Sequence, residues 1–200
     1  MIGVIDYEAG NITSVANALA SIGVDFRLSN QESELERCDG IILPGVGAAQ
    51  KAMESINGNS LAGFLQSYAK PFLGICLGME LLYEISDEGN TPCLGIIPGR
   101  VKIFDSTVPK IPHMGWNKVT TVDPGTWIGA KGNLGYYYFA HSYYVPVDQY
   151  SLAISESGVP FASVVKRLNY YGVQFHPEKS DDAGLALLKK FDALCKSSRQ

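Results

Sequence analysis

The sequence has no surplus of basic residues, because 20 acidic side chains against 16 lysines and arginines give a formal net charge of −4. Proteins that bind nucleic acid normally carry a basic surplus, so we expect no nucleic-acid partner. Long hydrophobic runs are missing too: no stretch approaches the roughly 20 residues that span a bilayer, and we expect no membrane partner. The apolar start, Met1–Ile5, is short and lacks a basic segment before it, which predicts a strand rather than a signal peptide.

Cysteine and histidine are scarce, with four and three copies in 200 residues. They show neither CxxC nor His-x-x-x-His spacing, which argues against a zinc site and a disulfide framework. We therefore expect no metal ion and no cofactor. Widely separated cysteines are typical of a reducing compartment and predict a cytoplasmic protein. The residues are Cys38, Cys76, Cys93 and Cys195, with His113, His141 and His176.

The first part of the chain alternates strand and helix patterns. Continuous apolar runs predict parallel strands that are covered on both faces, and apolar residues at helical spacing separate them. This alternation predicts an α/β fold with a central, mostly parallel sheet flanked by helices. The predicted strands are 2–5, 24–28, 40–43 and 71–75, and the predicted helices are 12–22, 48–56, 61–68 and 77–85.

From residue 86 onward the pattern changes to strands that follow one another, separated by glycine and proline turns. We expect an antiparallel, β-rich second half that lies against the first sheet or extends it. A final helix is predicted over 181–195. Because no linker or internal repeat interrupts the chain, we expect a single domain over residues 1–200. The predicted strands of this half are 100–104, 117–121, 136–140, 143–147, 152–155, 161–166 and 170–175.

Cys76 lies at a predicted strand-to-helix junction, with Gly74 two residues before it and Gly78 two residues after. This is the sulfur counterpart of the G-x-S-x-G nucleophile elbow, in which small residues permit a tight turn that exposes the nucleophile. The helix start that follows would stabilise a thiolate. The alternative for Cys76 is a buried small hydrophobic residue.

The third predicted strand ends in Pro44-Gly45-Val46-Gly47, where two glycines allow backbone N–H groups to turn outward. Ligands of open parallel sheets collect beyond the carboxyl ends of the strands, where Cys76 would also lie. We therefore predict that Val46, Gly47 and Leu77 form an oxyanion hole for a tetrahedral intermediate. The alternative is a plain glycine turn. A P-loop is excluded because no Lys-Ser/Thr pair follows.

His176 is the best candidate for a catalytic base because Pro177 and Glu178 follow it directly. A carboxylate held near an imidazole fixes its tautomer and stabilises the imidazolium form. Cys76 as nucleophile, His176 as base and Glu178 as orienting acid would form a triad for acyl transfer. Taken alone, a histidine at a strand end is usually structural or solvated.

The segments 44–47, 74–78 (G-I-C-L-G) and 174–178 (Q-F-H-P-E) resemble the class I, or triad, glutamine amidotransferases, and the resemblance runs nearly end to end. Within that class the chain resembles the glutaminase subunits of imidazole glycerol phosphate synthase. The segments that carry this likeness are Gly10-Asn11-Ile12, Pro112-His-Met-Gly-Trp-Asn117, Tyr136-Tyr-Tyr-Phe139, His141-Ser-Tyr143 and His176-Pro-Glu-Lys-Ser180.

The resemblance implies a flavodoxin-like fold and a glutaminase. Cys76 would attack the side-chain amide of L-glutamine, ammonia would leave, and water would free glutamate from a thioester. The ammonia would pass to a separate (β/α)₈ cyclase subunit in a heterodimer that makes imidazole glycerol phosphate in histidine biosynthesis.

The resemblance also implies roles for residues outside the triad. Gly45, Ser142 and Tyr143 would help to hold glutamine. Trp116, Lys179 and two further residues would lie toward the cyclase subunit, although exposed aromatic and basic side chains also have a plain surface explanation. The full set of predicted partner-facing residues is Asn11, Trp116, Tyr138 and Lys179.

Glu80 departs from the family pattern, which usually has glutamine four residues after the cysteine. One helical turn from Cys76, it can face the same pocket and contact the substrate. Its carboxylate could bind the substrate's ammonium group, repel its α-carboxylate, or raise the pKa of Cys76. We expect weaker use of glutamine or a stronger dependence on the cyclase subunit.

Three alternatives remain open at this point. A paralogous subunit could feed ammonia to a different acceptor, for example in a sugar pathway. A regulatory subunit could have impaired turnover because of Glu80. A stand-alone cysteine hydrolase or peptidase could use a similar elbow, although Glu178 and the Pro112–Asn117 segment argue against it.

Overall fold

The computed structural model describes residues 1–7, 11–105, 110–122, 127–129 and 132–198. Gly10, one residue of a segment that carries the family resemblance, lies outside these ranges. In the described part of the chain, a large sheet of nine strands forms the centre of the molecule. Its strands are β1 (Ile2–Ile5), β2 (Phe26–Ser29), β3 (Gly40–Leu43), β4 (Phe72–Ile75), β8 (His113–Thr121), β9 (Gly132–His141), β11 (Ser151–Ser157), β12 (Val159–Arg167) and β13 (Tyr170–Val173).

The two halves of the chain share this one sheet, in the spatial order β2-β1-β3-β4-β13-β12-β11-β8-β9. The strands from β2 to β13 run parallel, and β12, β11, β8 and β9 add antiparallel pairs. β13 joins the halves, because it pairs parallel with β4 and antiparallel with β12. The predicted α/β class, with an antiparallel second half that extends a parallel sheet, is therefore confirmed.

Helices cover both faces of the sheet and enclose two apolar cores. Val15, Leu19 and Phe191 belong to the core on one face, whereas Ile56 and Leu65 belong to the core on the other. Four of the five parallel strands, β1, β3, β4 and β13, are buried throughout. Continuous apolar runs predict this for β1, β3 and β4. The strand predicted over 170–175 was expected in the antiparallel half, but it pairs parallel with β4. The helices are α1 (Ile12–Ser21), α2 (Glu32–Leu35), α3 (Ala49–Gly58), α4 (Ala62–Ser67), α5 (Leu77–Glu80) and α6 (Asp181–Ser197).

The prediction of a helix over 77–85 is wrong beyond the first turn. α5 ends at Glu80, and the chain enters a strand at Tyr83. The carbonyl groups of Leu82 and Tyr83 accept hydrogen bonds from Ile97 and Gly95, which lie more than ten residues downstream. A small second sheet forms in this way, with the order β10-β7-β5-β6. Its strands are β5 (Tyr83–Ser86), β6 (Thr91–Pro92), β7 (Ile97–Ile103) and β10 (Tyr143–Tyr144).

Other predicted boundaries shift by a few residues. The strand predicted over 24–28 is Phe26–Ser29, and the strand predicted over 143–147 shortens to Tyr143–Tyr144. Neither strand has a strict apolar alternation, and their ends depend on which neighbouring strand offers hydrogen bonds. No helix in the described ranges is long and apolar enough to cross a membrane.

The sheet order brings three loops to one edge. β4 lies between β3 and β13, with Gly74 opposite Leu43 and Ile75 opposite Val173. Because these strands are parallel, the residues that follow each of them leave the sheet on the same side. The N–H group of Cys76 donates to the carbonyl of Val173 at 2.8 Å, which fixes the start of the loop after β4 against the end of β13.

Gly184, in the first turns of α6, allows close contact between that helix and the loop after β13. A Cβ atom added at Gly184 would lie 1.9 Å from the carbonyl oxygen of Pro177. We expect Gly184→Ala to lower the free energy of unfolding by about 1–3 kcal/mol, as overpacking typically does. Gly63→Ala is the matched control, since Gly63 is exposed in α4 with nothing within 4 Å of its added Cβ.

Gly63→Ala should leave the stability unchanged or raise it by up to about 1 kcal/mol, because alanine favours helix more than glycine does. Urea unfolding followed by circular dichroism measures both variants. Equal stability of the two variants would contradict the close contact of α6 with Pro177.

Candidate active site

The backbone at Cys76 has the geometry of a nucleophile elbow. Its φ of 53° and ψ of −111° are unusual for a residue with a side chain, and such conformations cost about 1–3 kcal/mol. The glycines on either side are required by close packing. An added Cβ would lie 2.4 Å from the Gly78 carbonyl oxygen at Gly74, and 1.9 Å from the Leu43 carbonyl oxygen at Gly78.

Cys76 lies at the start of α5, and the residue is 5% exposed. Burial, and then the charge of Glu80, raise the pKa of Cys76 well above its ordinary value. The backbone N–H of Leu77 and the side chain of Gln174 act in the opposite direction, because they donate hydrogen bonds that favour the thiolate. In this state Cys76 is a protonated thiol that needs a base.

His176 and Glu178 form a buried pair immediately after β13. His176 Nδ1 lies 2.8 Å from Glu178 Oε1, and the two side chains are 2% and 1% exposed. Asn11 Nδ2 donates to the same carboxylate oxygen at 3.2 Å. Because the carboxylate accepts, the ring proton lies on Nδ1, which leaves Nε2 to accept a proton from another group.

The described hydrogen bonds of Cys76 do not include this pair. Cys76 Sγ donates to the carbonyl of Ala140 at 3.8 Å, and no hydrogen bond of the described residues joins it to His176. The charge of Glu178 nevertheless contributes to the raised pKa of Cys76, so the two loops are electrostatically coupled. Catalytic hydrogen bonds are often long or misaligned before substrate binds.

β9 is tied to the His176 loop through Tyr138. The N–H of His176 donates to the Tyr138 carbonyl at 2.8 Å, and the N–H of Tyr138 donates to Ser180 Oγ at 2.9 Å. Ser180 Oγ in turn donates to the His176 carbonyl at 2.6 Å. This closed set of hydrogen bonds fixes β9 over the carboxyl ends of β4 and β13, and it explains why Ala140 lies beside Cys76.

A cavity of about 210 Å³ opens next to the thiol. Six of the predicted site residues line it together with Cys76. Gly45 is not a lining residue, but it packs against α5, where an added Cβ would be 2.5 Å from the Gly78 nitrogen. His176 and Glu178 are not among the residues that line the cavity. The lining residues are Val46, Gly47, Cys76, Leu77, Glu80, Glu88, Pro112, Met114, Ala140, His141, Ser142 and Tyr143.

Glu80 is buried on the cavity wall and pairs with Gln174. Gln174 Nε2 donates to Glu80 Oε1 at 2.8 Å, and the two residues are 0% and 4% exposed, respectively. Burial raises the pKa of Glu80 to about 8. Gln174 belongs to the Q-F-H-P-E segment, but its position beside Glu80 depends on the pairing of β13 with β4, which no local pattern indicates.

His141 connects the cavity to β8 through a chain of hydrogen bonds. Its Nδ1 lies 2.7 Å from the Tyr143 carbonyl, so Nδ1 carries a proton and Nε2 accepts. His113 Nδ1 donates to that Nε2 at 2.9 Å, and Asn117 Nδ2 donates to His113 Nε2 at 3.2 Å. Burial lowers the pKa of His141 to about 3 and also lowers the pKa of His113. Both rings are therefore neutral. The residue patterns of the sequence do not indicate this series of hydrogen bonds.

The four predicted partner-facing residues lie together beside the His176 loop. Trp116 is 49% exposed, and its ring meets that of Tyr138 edge-on, with centroids 6.3 Å apart. Lys179 Nζ lies 6.0 Å from the centroid of Tyr138, and Asn11 contacts Glu178. Among the described residues, no group of His, Cys, Asp and Glu side chains is arranged to hold a metal ion.

The chain belongs to the class-I glutamine amidotransferases, whose family model matches residues 3–193. Solved structures agree on the fold. A structure described as a glutamine amidotransferase superposes with a TM-score of 0.75 at 17% identity, covering 98% of each chain. A structure described as PurLQS from Thermotoga maritima gives a TM-score of 0.73 at 19% identity and covers 100% of this chain and 98% of its own.

Within that class, its relatives include HisH subunits of imidazole glycerol phosphate synthase. The chain is 43% identical over 195 residues to HisH 2 of Legionella pneumophila (strain Paris), covering 97% of this chain and 98% of that one. It is 45% identical over 197 residues to HisH of Desulfitobacterium hafniense (strain DSM 10664 / DCB-2), and the match covers 96% of this chain and 93% of that protein.

The hydrogen bonds of His141 predict its protonation state in solution. We expect a neutral ring with the proton on Nδ1 at every pH between about 5 and 8, because a second ring proton would oppose the His113 donor. Two-bond ¹H–¹⁵N correlation spectra of the full chain report the tautomer, and His141→Asn assigns the signal. A cationic ring within this pH range would contradict the chain of hydrogen bonds.

Proposed function

We propose that this chain hydrolyses L-glutamine to glutamate and ammonia, with Cys76 as nucleophile, His176 as general base and Glu178 as the residue that orients the imidazole. The observation that carries this proposal is the convergence of a strained elbow cysteine and a buried His–Glu pair at one sheet edge, beside a small cavity. Class-I family membership supports the same reaction.

In the first half-reaction, rotation of the Cys76 side chain away from Ala140 brings the sulfur to His176. Nε2 takes the thiol proton as sulfur bonds to the amide carbon of glutamine. The electron pair of the carbonyl moves to its oxygen, where the N–H groups of Val46, Gly47 and Leu77 stabilise the negative charge. His176 then gives its proton to the amide nitrogen, the carbon–nitrogen bond breaks, and ammonia leaves.

In the second half-reaction, water attacks the thioester. His176 accepts a proton from the water and returns it to the sulfur as the carbon–sulfur bond breaks, so glutamate leaves and the thiol is restored. Gly45, Ser142 and Tyr143 position the substrate, Gly45 by allowing α5, whose Leu77 lines the cavity, to pack closely against the loop after β3.

We infer that the ammonia passes to a separate (β/α)₈ cyclase subunit in a heterodimer, where it is used to make imidazole glycerol phosphate in histidine biosynthesis. The names of the relatives describe subunits of that synthase. The partner surface that we propose contains Asn11, Trp116, Tyr138 and Lys179. This surface adjoins the triad directly, because Asn11 donates a hydrogen bond to Glu178, and Lys179 is the residue after Glu178.

Glu80 favours a second candidate function. A carboxyl group in place of the family's usual glutamine, on the wall of the cavity, suits a subunit with altered turnover or a paralogue that supplies another acceptor, for example in a sugar pathway. In either function we propose that the chain acts as one amidotransferase domain, because the nine-stranded sheet joins both halves of the described residues. We also propose that it acts in the cytoplasm, where its free cysteines would stay reduced.

Removing the nucleophile tests the glutaminase. We expect Cys76→Ala to lower glutamate release from glutamine by at least about 10³-fold, and Glu178→Gln by about 10²–10⁴-fold, because the imidazole loses its orienting charge. An enzyme-coupled glutamate assay with the cyclase subunit present measures both variants. Cys93→Ala is the matched control, since Cys93 is a free cysteine outside the lining of the cavity.

Free ammonium should restore product formation by the complex that contains Cys76→Ala. Glutamate release that survives this substitution would overturn the role of Cys76, whereas loss of release in Cys93→Ala would show that the assay reports a general effect.

Removing the exposed indole tests the partner surface. We expect Trp116→Ala to weaken binding to the cyclase subunit by more than about 1 kcal/mol, since buried aromatic anchors dominate interfaces. Leu168→Ala is the control, because Leu168 is 77% exposed and precedes β13, at the opposite end of that strand from the triad. Isothermal titration calorimetry measures both affinities. Equal affinities would contradict a partner surface at Trp116.

A further inference from the structure

We propose that Glu80 is a second proton-carrying residue of the active site: its carboxyl group is neutral in the active protein, and its ionisation holds Cys76 in the unreactive thiol form. This inference rests on the proposed function in one respect, because it takes Cys76 to be the nucleophile. It assigns Glu80 a positioning role through Cys76 and Gln174 rather than a direct step in the chemistry.

The surroundings of Glu80 disfavour a charge. The residue is 4% exposed, and the ion pairs of the described residues do not include it. Its hydrogen-bond partner is the neutral amide of Gln174, itself fully buried. A buried carboxylate without a cation retains its proton to a higher pH than an exposed one.

Gln174 supplies a geometric reason for the same proton. Its Nε2 donates to Glu80 Oε1 at 2.8 Å, while its own Oε1 is buried and has no hydrogen-bond donor among the described residues. A protonated carboxyl group has a hydrogen to donate toward that oxygen, whereas a carboxylate has none. A neutral Glu80 therefore carries a hydrogen that the unpartnered end of the Gln174 amide could accept, and an ionised Glu80 carries none.

Among the described residues, the titratable groups whose electrostatic interaction with Glu80 shifts a pKa are all acids. They come from each element around it: Cys76 from the elbow, Glu88 from the turn before β6, Cys93 from the chain after β6, and Tyr143 from β10. Each of them adds negative charge when it ionises. None stabilises a carboxylate at Glu80, and a carboxylate there opposes the thiolate of Cys76.

The direction of the effect follows from these contacts. With its pKa raised to about 8, Glu80 is neutral below that pH and negative above it. An ordinary thiol becomes more reactive as the pH rises, but here the rise also places a charge beside Cys76 and raises the pKa of its thiol. The thiolate of wild-type protein should therefore form at a higher pH than the thiolate of Glu80→Gln.

Alkylation of Cys76 by iodoacetamide tests this without any turnover. The full-length wild-type chain and Glu80→Gln are treated at a series of pH values between about 6 and 10, and mass spectrometry of the Cys76 peptide gives the rates. Glu80→Gln should reach half-maximal reactivity at lower pH, with about tenfold faster alkylation at a fixed pH for each unit of pKa difference. Coincident profiles would overturn the proposal.

Glu54→Gln is the matched charge control. It removes one exposed carboxylate of α3 whose described hydrogen-bond partner is Gln50, and it should reproduce the wild-type alkylation profile. A shift as large as that of Glu80→Gln would mean that overall charge, not Glu80, controls the thiol, and would also overturn the proposal.

Two direct measurements test the proton itself. In ¹³C spectra of protein labelled at the glutamate carboxyl carbon, the signal missing from Glu80→Gln should titrate near pH 8; titration below about pH 5 would overturn the proposal.

Glu80 also affects stability, because its pKa rises from 4.5 to about 8 on folding. The folded state loses stability as the pH rises between these values.

The melting temperature of wild-type protein should therefore fall relative to that of Glu80→Gln between those two pH values, and a constant difference would count against the proposal. The alkylation and NMR results decide the role of Glu80 even if no variant releases glutamate, an outcome that would contradict the proposed function alone. If the chain does release glutamate, kcat/KM should decline above about pH 8 in wild type and not in Glu80→Gln.

Discussion

The whole site depends on the parallel pairing of β4 with β3 on one side and with β13 on the other. Parallel strands direct their carboxyl ends to the same edge, so the loops that follow Leu43, Ile75 and Val173 meet there although the last two are almost 100 residues apart in the chain. The elbow glycines exist to permit this approach, since a side chain at Gly78 would collide with the carbonyl of Leu43. The arrangement of the site residues therefore depends on close packing of the backbone.

The second half of the chain completes the site by covering it. β9 lies over the ends of the parallel strands and is fixed to the His176 loop through Tyr138 and Ser180. The same strand supplies Ala140 and His141 to the cavity and places the Tyr138 ring beside Trp116 and Lys179. A partner that contacts this surface would therefore touch β9, whose Ala140 carbonyl accepts the hydrogen bond of the Cys76 thiol, and the loop that carries His176. The geometry couples the proposed partner surface to the triad by direct hydrogen bonds.

Much of this could be predicted from residues alone, and the exceptions share a cause. The elbow at Cys76, the His176–Glu178 pair and the parallel strands have local signatures, in glycine spacing, sequence proximity and continuous apolar runs. The strand Tyr83–Ser86 has none: its residues read as the end of a helix, and hydrogen bonds from residues 93–97 decide otherwise. Gln174 and the His113–His141 chain were missed for the same reason, because their partners come from other elements.

The sequence by itself determined the chemical inventory: one cysteine between two glycines, one histidine followed closely by a glutamate, and a further glutamate four residues after the cysteine. It also determined the alternation of strands and helices, because apolar periodicity is a local property. Only the tertiary structure decided which groups face each other: the thiol with Ala140, Glu80 with Gln174, Asn11 with Glu178. These contacts also decided the charge states, since burial and neighbouring groups shift the pKa of a side chain away from the ordinary value of its residue type.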